Sequence, residues 1–198
     1  MPTNFFVHDR GICESDDIGE GTRIWAFSHV MKGARVGTKC NLGEHVFVEN
    51  RAVIGDGCTI KNGVAIWNLV VLEADVFVGP YVVFTNDDKP RSFIKRDESF
   101  FFGTRIKRGA TLGANATIVC GVTVGEYAMV GAGAVVTQNI PPHTLVVGNP
   151  ARPVGRICFC GERLSKDDFC SACQKPLSKN SAADAAAPKP ATVKGNHV

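Results

Sequence analysis

Four cysteines near the end of the chain have the spacing of a metal site. They are Cys158, Cys160, Cys170 and Cys173, in the pattern C-x-C-x9-C-x2-C. Zinc binds four thiolates tetrahedrally, and two close pairs of cysteines suit that geometry better than a disulfide framework does. The pattern therefore predicts a structural zinc with no open coordination position. Free thiols in an appendage and a redox pair are the alternatives.

The remaining cysteines and histidines offer less chemistry. Cys13, Cys40, Cys58 and Cys120 have no recurring histidine neighbour that would indicate a nucleophile, and buried cysteine behaves as a small hydrophobe. His29, next to Ser28, is a candidate general base. A surface or intersubunit histidine is the alternative for His29.

The elements that must position these residues repeat every six residues. Eleven hexads run from Ile18 to Val83 and six more from Ile106 to Pro141, and each opens with Ile, Val or Leu. A helix would need a period of about 3.6, and the glycine and β-branched content disfavours helices. Each hexad therefore supplies a strand and a turn of a β-solenoid, with coils stacked about 4.8 Å apart. A β-sandwich is the alternative, but its turns would not recur at a fixed spacing.

The hexads resemble the hexapeptide-repeat family, whose left-handed parallel β-helix winds three hexads into each coil. The resemblance implies an 18-residue coil, nearly six coils and a homotrimer of prisms. Residues 18 apart should then stack in columns: Thr22, Cys40, Cys58 and Val76; Asn50, Asn68 and Asn86; His29, Phe47, Ala65 and Val83.

Residues 84–105 break the repeat and predict an inserted loop. Loops longer than about 12 to 15 residues in a compact domain are usually functional or disordered. This segment combines basic residues with Phe93, Phe100, Phe101 and Phe102. Exposed phenylalanines at this density are costly, so we expect the loop to pack on a neighbouring subunit.

The predicted fold is all-β, a left-handed parallel β-helix with one long inserted loop and a small zinc-ribbon-like appendage. Its parts are an N-terminal lead-in (1–17), the repeats (18–141), a post-helix segment (142–156), the four-cysteine appendage (157–178) and a tail (179–198). The tail is rich in Ala, Pro, Ser and Lys, which predicts disorder.

Length and composition exclude several classes of protein. The chain has 198 residues, 44% hydrophobic and 21% charged, which suits one main domain of ordinary composition. A net charge of +3 is too small for a broad nucleic-acid surface. No apolar run approaches a membrane span, and the start lacks a secretion signal. We therefore expect a cytoplasmic protein with no nucleic-acid or membrane partner.

Several longer segments carry a more specific resemblance, covering residues 10 to 160. TRIWAFSHV, NGVAIW, GPYVVFTNDDKPRS, GANATIVCGVTVGEYAMVGAGAVVT and VVGNPAR resemble bacterial acetyl-CoA-dependent N-acetyltransferases that act on the 3-amino group of nucleotide-linked sugars. IVCG and ICFCG favour the branch acting on UDP-2-acetamido-3-amino uronates. IKNGVAIW and FTNDDKPRS resemble the branch acting on dTDP-3-amino-3,6-dideoxyhexoses. Such enzymes serve O-antigen or other surface polysaccharide synthesis.

The resemblance also implies roles for individual residues. The FTN motif places Asn86 beside the sugar amine, where its amide oxygen could accept a hydrogen bond; a coil corner that tolerates left-handed backbone angles is the alternative. Arginine binds diphosphate or carboxylate groups bidentately, although solvated arginines are equally expected. The predicted substrate-binding residues are Arg23, Asn62, Trp67, Thr85, Arg91 and Ser92.

The predicted acetyl-CoA site lies along outward positions that lack bulk. These are Gly113, Ala114, Gly131 and Ala132, with Lys107, Arg108 and Arg152 as partners of the cofactor's phosphates. The glycines have an alternative role as turn formers.

Three other functions compete with this prediction. A non-catalytic scaffold with a zinc-dependent docking module and a sugar O-acyltransferase both fit the repeat. A zinc carbonic anhydrase needs several histidine ligands, whereas only His29 and His45 lie on the predicted coils. The carbonic anhydrase function is therefore disfavoured.

Overall fold

The computed structural model describes residues 4–95 and 101–179, which form a parallel β-solenoid. Most strands are two or three residues long, because each hexad forms both a strand on one face and the turn to the next face. In chain order they are β1 Phe6–Val7, β2 Ile12–Cys13, β3 Arg23–Ile24, β4 His29–Val30, β5 Arg35–Val36, β6 Asn41–Leu42, β7 Phe47–Val48, β8 Val53–Ile54, β9 Thr59–Ile60, β10 Ala65–Ile66, β11 Val70–Leu72, β12 Phe77–Val78, β13 Val83–Phe84, β14 Thr104–Ile106, β15 Thr111–Leu112, β16 Thr117–Ile118, β17 Thr123–Val124, β18 Met129–Val130, β19 Val135–Val136, β20 Thr144–Val147, β21 Arg152–Arg156, β22 Phe169–Cys170 and β23 Lys175–Pro176. A 3-10 turn, Leu177–Lys179, follows the last strand.

Three sheets form the three faces of the solenoid. The nine-stranded face has the order β1-β3-β6-β9-β12-β15-β18-β20-β21, and the seven-stranded face has the order β19-β16-β13-β10-β7-β4-β2. The five-stranded face has the order β17-β14-β11-β8-β5. Neighbouring strands on these faces run parallel, except for the antiparallel pair β20 and β21. The predicted all-β solenoid is confirmed. In the described ranges no helix is long and apolar enough to cross a membrane.

Residues one coil length apart pair on successive coils, as the hexads predict. On the seven-stranded face, His29 pairs with Phe47, Phe47 with Ala65, and Ala65 with Val83. Backbone hydrogen bonds between coils maintain this register; for example, the Arg23 N–H donates to the Cys40 carbonyl oxygen at 2.9 Å. One predicted column is therefore present residue by residue.

The residue that opens each hexad points into the core. Ile24, Leu42, Ile60 and Leu112 are fully buried, and they belong to one continuous apolar cluster along the solenoid. Burying an aliphatic side chain of this size contributes roughly 1.5–3 kcal/mol. Repetition of this contribution in every coil stabilises strands that would be too short to persist alone.

The cysteines of the coils are part of this core. Cys40, Cys58 and Cys120 are buried, which agrees with the expected role as small hydrophobes. The Cys40 thiol donates to the Gly55 carbonyl oxygen at 3.1 Å, and the Cys58 thiol donates to that of Glu73 at 3.1 Å. A hydrogen bond with Cys40 and burial both raise the pKa of Cys58. The Cys58 thiol is therefore held protonated inside the solenoid.

The solenoid extends beyond the seventeen hexads at both ends. The predicted lead-in contains β1 and β2, which pair with β3 and β4 and complete an additional coil. The predicted post-helix segment contains β20, parallel to β18, and β21, which folds back on β20. The nine-stranded face therefore has eight parallel strands, whereas the hexads predicted nearly six coils.

The inserted loop is shorter than the break in the repeat. The coil continues through β13, and it resumes at β14, so both ends of the expected 84–105 segment belong to the solenoid. Val71 pairs with Arg105 and Val83 pairs with Thr117. The chain between these paired residues is therefore almost one coil length longer than the chain between paired residues elsewhere in the solenoid. The described residues between β13 and β14 contribute no strand to the three faces. Residues 96–100, including the predicted Phe100 contact, lie outside the described residues.

The four-cysteine appendage is a small separate unit after β21. It contains the antiparallel strands β22 and β23, and its buried residues are Cys158, Leu164 and Cys170. The predicted disordered tail lies outside the described residues from residue 180 onward.

Close stacking of coils predicts unequal effects for two glycine substitutions. A Cβ atom on Gly113 would lie 2.5 Å from the Ala132 backbone nitrogen, whereas one on Gly133, at φ 69°, would meet nothing within 4 Å. We expect Gly113→Ala to cost about 3 kcal/mol of folding free energy, since backbone cannot move aside cheaply. Gly133→Ala should cost about 1 kcal/mol from the left-handed backbone alone. Thermal or denaturant unfolding measures both; equal losses would contradict the close-packing argument.

Candidate active site and metal centre

Three of the predicted site residues meet at the corner from which the inserted loop leaves. This loop corner consists of Trp67, Thr85 and Asn86, between the seven-stranded and five-stranded faces. The Trp67 indole Nε1–H donates to the Phe84 carbonyl oxygen at 2.8 Å. The Thr85 hydroxyl oxygen accepts a hydrogen bond from the Cys120 N–H at 2.9 Å. The backbone of the loop corner is thus tied to the coils on both sides.

Asn86 is held by its backbone while its side chain remains unengaged. The Asn86 carbonyl oxygen accepts a hydrogen bond from the Phe102 N–H at 3.3 Å, where the chain returns from the loop. The half-buried Asn86 amide makes no hydrogen bond with another residue in the described ranges. An amide fixed at a corner in this way is available to a ligand.

The alternative explanation of the asparagine column, that asparagine is needed there for a left-handed backbone angle, does not fit this corner. None of Asn50, Asn68 and Asn86 has a positive φ; the left-handed residues are one position later, at Arg51 (φ 63°) and Leu69 (φ 63°). Asparagine at these positions is therefore not required by a left-handed turn.

His29 lies on the seven-stranded face, away from the loop corner. Its Nε2 atom is 3.4 Å from the Glu14 Oε2 atom, within ion-pair reach when the imidazole is protonated, although that atom is shielded from solvent and makes no hydrogen bond within the described part of the chain. The ring contacts Phe47 edge to face at 5.7 Å. Three strand steps separate β4 from β13, about 14 Å along the axis at the usual spacing. His29 and Asn86 of one chain therefore cannot contact the same reacting atom.

The other predicted substrate residues are dispersed. Arg23 is exposed on the nine-stranded face, and Asn62 lies at the corner between β9 and β10. Arg91 and Ser92 are exposed in the loop, where the Arg91 guanidinium donates to the Pro90 carbonyl oxygen at 3.0 Å. Of the six predicted substrate-binding residues, only Trp67 and Thr85 come together with Asn86 within one chain.

The small residues predicted to line the acetyl-CoA site stack at the corner between the nine-stranded and seven-stranded faces. Gly113 and Ala114 follow β15, and Gly131 and Ala132 follow β18. A Cβ atom on Gly113 would meet the Ala132 backbone nitrogen, and one on Gly131 would lie 2.7 Å from the Val147 Cγ1 atom, so close packing against the next coil favours glycine at both positions. The glycine pattern is thus explained by coil stacking as well as by a cofactor channel.

The basic residues predicted to bind phosphate occupy two other places. Lys107 and Arg108 lie at the corner after β14, where the Arg108 N–H donates to the Glu73 Oε2 atom at 3.1 Å. Arg152 is exposed on β21, and its guanidinium donates to the Ala151 carbonyl oxygen at 3.1 Å.

Sequence reasoning assigned Arg105 to the loop and did not propose it as a site residue. The structure places Arg105 on β14, where it lines a surface groove with Lys107, Thr123 and Asn139. Its Nη1 atom is 3.5 Å from the Glu73 Oε1 atom. Its position directly before Ile106, which opens a hexad, could have identified it as an outward residue of the coil.

The four cysteines of the appendage converge on one point. The sulfur atoms of Cys158, Cys160, Cys170 and Cys173 all lie within 4.8 Å of one another, with 3.6 Å between those of Cys160 and Cys170. Tetrahedral ligands about 2.3 Å from a zinc ion have sulfur atoms about 3.8 Å apart. Burial raises the pKa of the Cys160 thiol to about 12, so a bound metal ion would have to displace the thiol proton. The donor set and its spacing fit a four-thiolate metal ion.

The appendage docks on the last coils through the residue between two of these cysteines. The Phe159 ring packs edge to face against Tyr127 at 4.6 Å and against His143 at 4.6 Å. The Ile157 N–H donates to the His143 carbonyl oxygen at 2.8 Å. Burial lowers the pKa of His143. The cysteine cluster is therefore attached to the end of the solenoid by an aromatic contact.

Comparison with known proteins agrees with this architecture. The family pattern "Bacterial transferase hexapeptide (six repeats)" matches residues 103–138, and "Hexapeptide repeat of succinyl-transferase" matches residues 33–68. The chain is 48% identical over 169 residues to the dTDP-3-amino-3,6-dideoxy-alpha-D-galactopyranose 3-N-acetyltransferase of Aneurinibacillus thermoaerophilus, covering 85% of this chain and 87% of that protein. The chain belongs to the hexapeptide-repeat acetyltransferases.

Solved structures of other acetyltransferases share the fold. One is a hexapeptide-repeat acetyltransferase of Vibrio cholerae complexed with acetyl coenzyme A, at 25% identity and a TM-score of 0.52, covering 63% of this chain and 70% of that one. Another is the acetyltransferase domain of PglB from Neisseria gonorrhoeae, at 25% identity and a TM-score of 0.50. The match to PglB covers 75% of this chain and spans 56% of the PglB chain.

Proposed function

We propose that this acetyltransferase moves an acetyl group from acetyl-CoA to the 3-amino group of a nucleotide-linked amino sugar. The observation that carries the proposal is the 48% identity, across 85% of the chain, to an enzyme named for that reaction. The loop corner supports it independently, because the Asn86 amide there makes no hydrogen bond with any residue that the structure describes and lies beside a long inserted loop. A surface polysaccharide such as an O-antigen is the proposed destination of the acetylated sugar.

Asn86 is the proposed catalytic residue, acting by orientation. The neutral sugar amine attacks the thioester carbonyl carbon, the C–S bond breaks, and the departing thiolate accepts the amine proton to give the free CoA thiol. The amide oxygen of Asn86 accepts a hydrogen bond from the amine and directs its lone pair at the carbonyl. Holding the reacting atoms about 3–3.5 Å apart supplies most of the acceleration. A protein base is then unnecessary.

The nucleotide of the substrate is the finer part of the proposal. The 48% identical relative favours a dTDP-linked 3-amino-3,6-dideoxyhexose. The preference for a UDP-linked uronate from IVCG and ICFCG stays a prediction. Lys107, Arg108 and Arg152 stay our candidates for the phosphates of CoA, with Arg105 added because it shares a groove with Lys107.

The catalytic proposal predicts a large effect at Asn86. Thiol release from acetyl-CoA should occur with dTDP-linked 3-amino sugars, and Asn86→Ala should lower kcat roughly 10- to 1000-fold through lost positioning. Asn50→Ala, in the same column two coils away, is the matched control and should leave the rate unchanged. No turnover with any dTDP- or UDP-linked 3-amino sugar would favour the scaffold alternative instead.

The pH dependence of kcat/KM separates Asn86 from a His29 base. The amine should titrate near roughly 7.7–8.0, so kcat/KM should rise through that region and then level. A histidine general base would add a second limb at lower pH, and His29→Ala would remove that limb if His29 is the base. Loss of such a limb only in the His29 variant would overturn the orientation mechanism.

A structural zinc in the appendage is the second part of the proposal. The spacing of the four sulfur atoms and the thiolate donor set support Zn²⁺ with every position filled. No disulfide joins any of the eight cysteines, all of which lie in the described ranges. A cytoplasmic location stays a prediction of the sequence.

The zinc proposal predicts one zinc ion per chain by elemental analysis of the full-length protein. Cys170→Ser should lose that metal, because its thiolate is one of four ligands and is fully buried. Cys13→Ser, a half-buried thiol outside the cluster, should retain the metal. Zinc retained after Cys170→Ser, or no zinc in the parent protein, would contradict the assignment.

A homotrimer is the proposed assembly. Apolar side chains are exposed on the seven-stranded face at Ile12 and Val83 and in the loop at Phe93 and Phe102, with Phe93 81% exposed. Apolar surface of this kind usually marks an interface. Sedimentation should give three times the 21.2 kDa chain mass. A stable monomer at micromolar concentration would contradict the trimer.

A further inference from the structure

Backbone hydrogen bonds follow one rule where the seven-stranded face meets the next corner. At four strands of this face, the residue that follows the strand donates its N–H to a carbonyl oxygen of the next coil. These bonds run from Met31 to Val48 at 2.9 Å, from Glu49 to Ile66 at 2.8 Å, from Thr85 to Ile118 at 3.1 Å and from Val119 to Val136 at 3.0 Å. Trp67 is the residue at this position after β10, one coil before β13.

Trp67 departs from this rule. Within the described ranges, its backbone N–H makes no bond to the Phe84 carbonyl oxygen, and β10 pairs with β13 only through Ala65 and Val83. The neighbouring strand pairs β7–β10 and β13–β16 each have two residue pairs. Among the described residues the Ala65 N–H likewise makes no bond to the Val82 carbonyl oxygen, so the β10–β13 ladder is weakened on both sides of Ile66, and the second gap lies immediately before Asn86.

The indole of Trp67 closes this second gap in place of the backbone. Its Nε1–H donates to the Phe84 carbonyl oxygen at 2.8 Å. The half-buried ring is supported by Phe47, at 5.7 Å between centroids. The N–H of the same peptide group, which belongs to Thr85, donates to the Ile118 carbonyl oxygen on the other side. The peptide that joins Phe84 to Thr85 is thus held from both sides, and the next residue is Asn86.

We infer that Trp67 is a positioning residue that fixes Asn86 through the Phe84 carbonyl group. The inference rests on the proposed catalytic role of Asn86 and assigns Trp67 a role other than contact with the sugar. Without the indole N–H, the Phe84 carbonyl group loses its partner and the corner can shift at this gap. A displacement of about 1 Å at a reacting group can cost roughly 100-fold in rate.

The test is Trp67→Phe, which keeps an aromatic ring against Phe47 and removes only the donor. We expect kcat to fall roughly 10- to 100-fold with KM little changed, because orientation and not binding is lost. In the Asn86→Ala background, Trp67→Phe should have almost no further effect on kcat, since the residue that it positions is already gone. Trp25→Phe is the matched control. It removes an indole bond to the Asn41 side chain at another corner and should leave kcat unchanged.

Each other outcome has a definite meaning. A raised KM at unchanged kcat would overturn the inference and make Trp67 a substrate contact. Independent, multiplying effects of Trp67→Phe and Asn86→Ala would overturn action through Asn86. If Asn86→Ala alone keeps full activity, the proposed catalytic role fails first, and the inference fails with it.

An isosteric replacement covers the case in which Trp67→Phe does not fold. Benzothienylalanine at position 67 has the size of tryptophan but a sulfur atom in place of the N–H donor. It should reproduce the fall in kcat at an unchanged melting temperature. A fully active benzothienylalanine protein would overturn the inference, because the hydrogen bond is the only feature it lacks.

Discussion

Backbone hydrogen bonds between coils are the constraint on which this structure depends. They hold residues one coil length apart at the distance of adjacent strands, as in the bonds from Asn41 to Cys58 at 2.9 Å and from Thr59 to Val76 at 3.0 Å. A side chain at a corner must then fit within one strand spacing of the next coil. Gly113 illustrates the consequence, since the next coil occupies the space that its Cβ atom would need.

The same constraint decides where extra chain can be inserted. The inserted loop is accommodated because it leaves the coil between β13 and β14 and the register resumes after it. The adjoining step of the ladder is weakened, and the side chain of Trp67 supplies the missing bond. A solenoid of uniform coils offers little concave surface. A functional site is therefore expected where the uniform ladder is interrupted.

The hexads predict the columns but not the ends of the solenoid. The column from His29 to Val83 follows from counting, because every coil between them consists of three complete hexads. The first coil escaped detection because its inward residues Val7 and Cys13 are only half-buried and have a single neighbouring coil. Their side chains need not be the large aliphatics that make the pattern visible.

Three of the site residues expected from the sequence come together in the structure, and counting positions within the hexads could have anticipated which three. Asn86, Trp67 and Thr85 come together because they share one corner in adjacent coils. Arg23 and Asn62 occupy other positions within the coil, so they lie on other parts of the solenoid surface. The motifs that contain Arg23 and Asn62 carried no information about which face each residue occupies. Contacts between chains, which could bring those parts together, cannot be read from one sequence.

The cysteines show why acyl transfer in this chain should depend on orientation. Cys40 and Cys58 are one coil apart and so stack inside the core, where their thiols bond to carbonyl groups. The four thiols of the appendage face one another within 4.8 Å, as ligands of the proposed zinc. Neither group offers an accessible thiolate that could carry an acetyl group. In the proposed mechanism the sugar amine attacks the thioester directly, and the rate then depends on how firmly the loop corner holds Asn86.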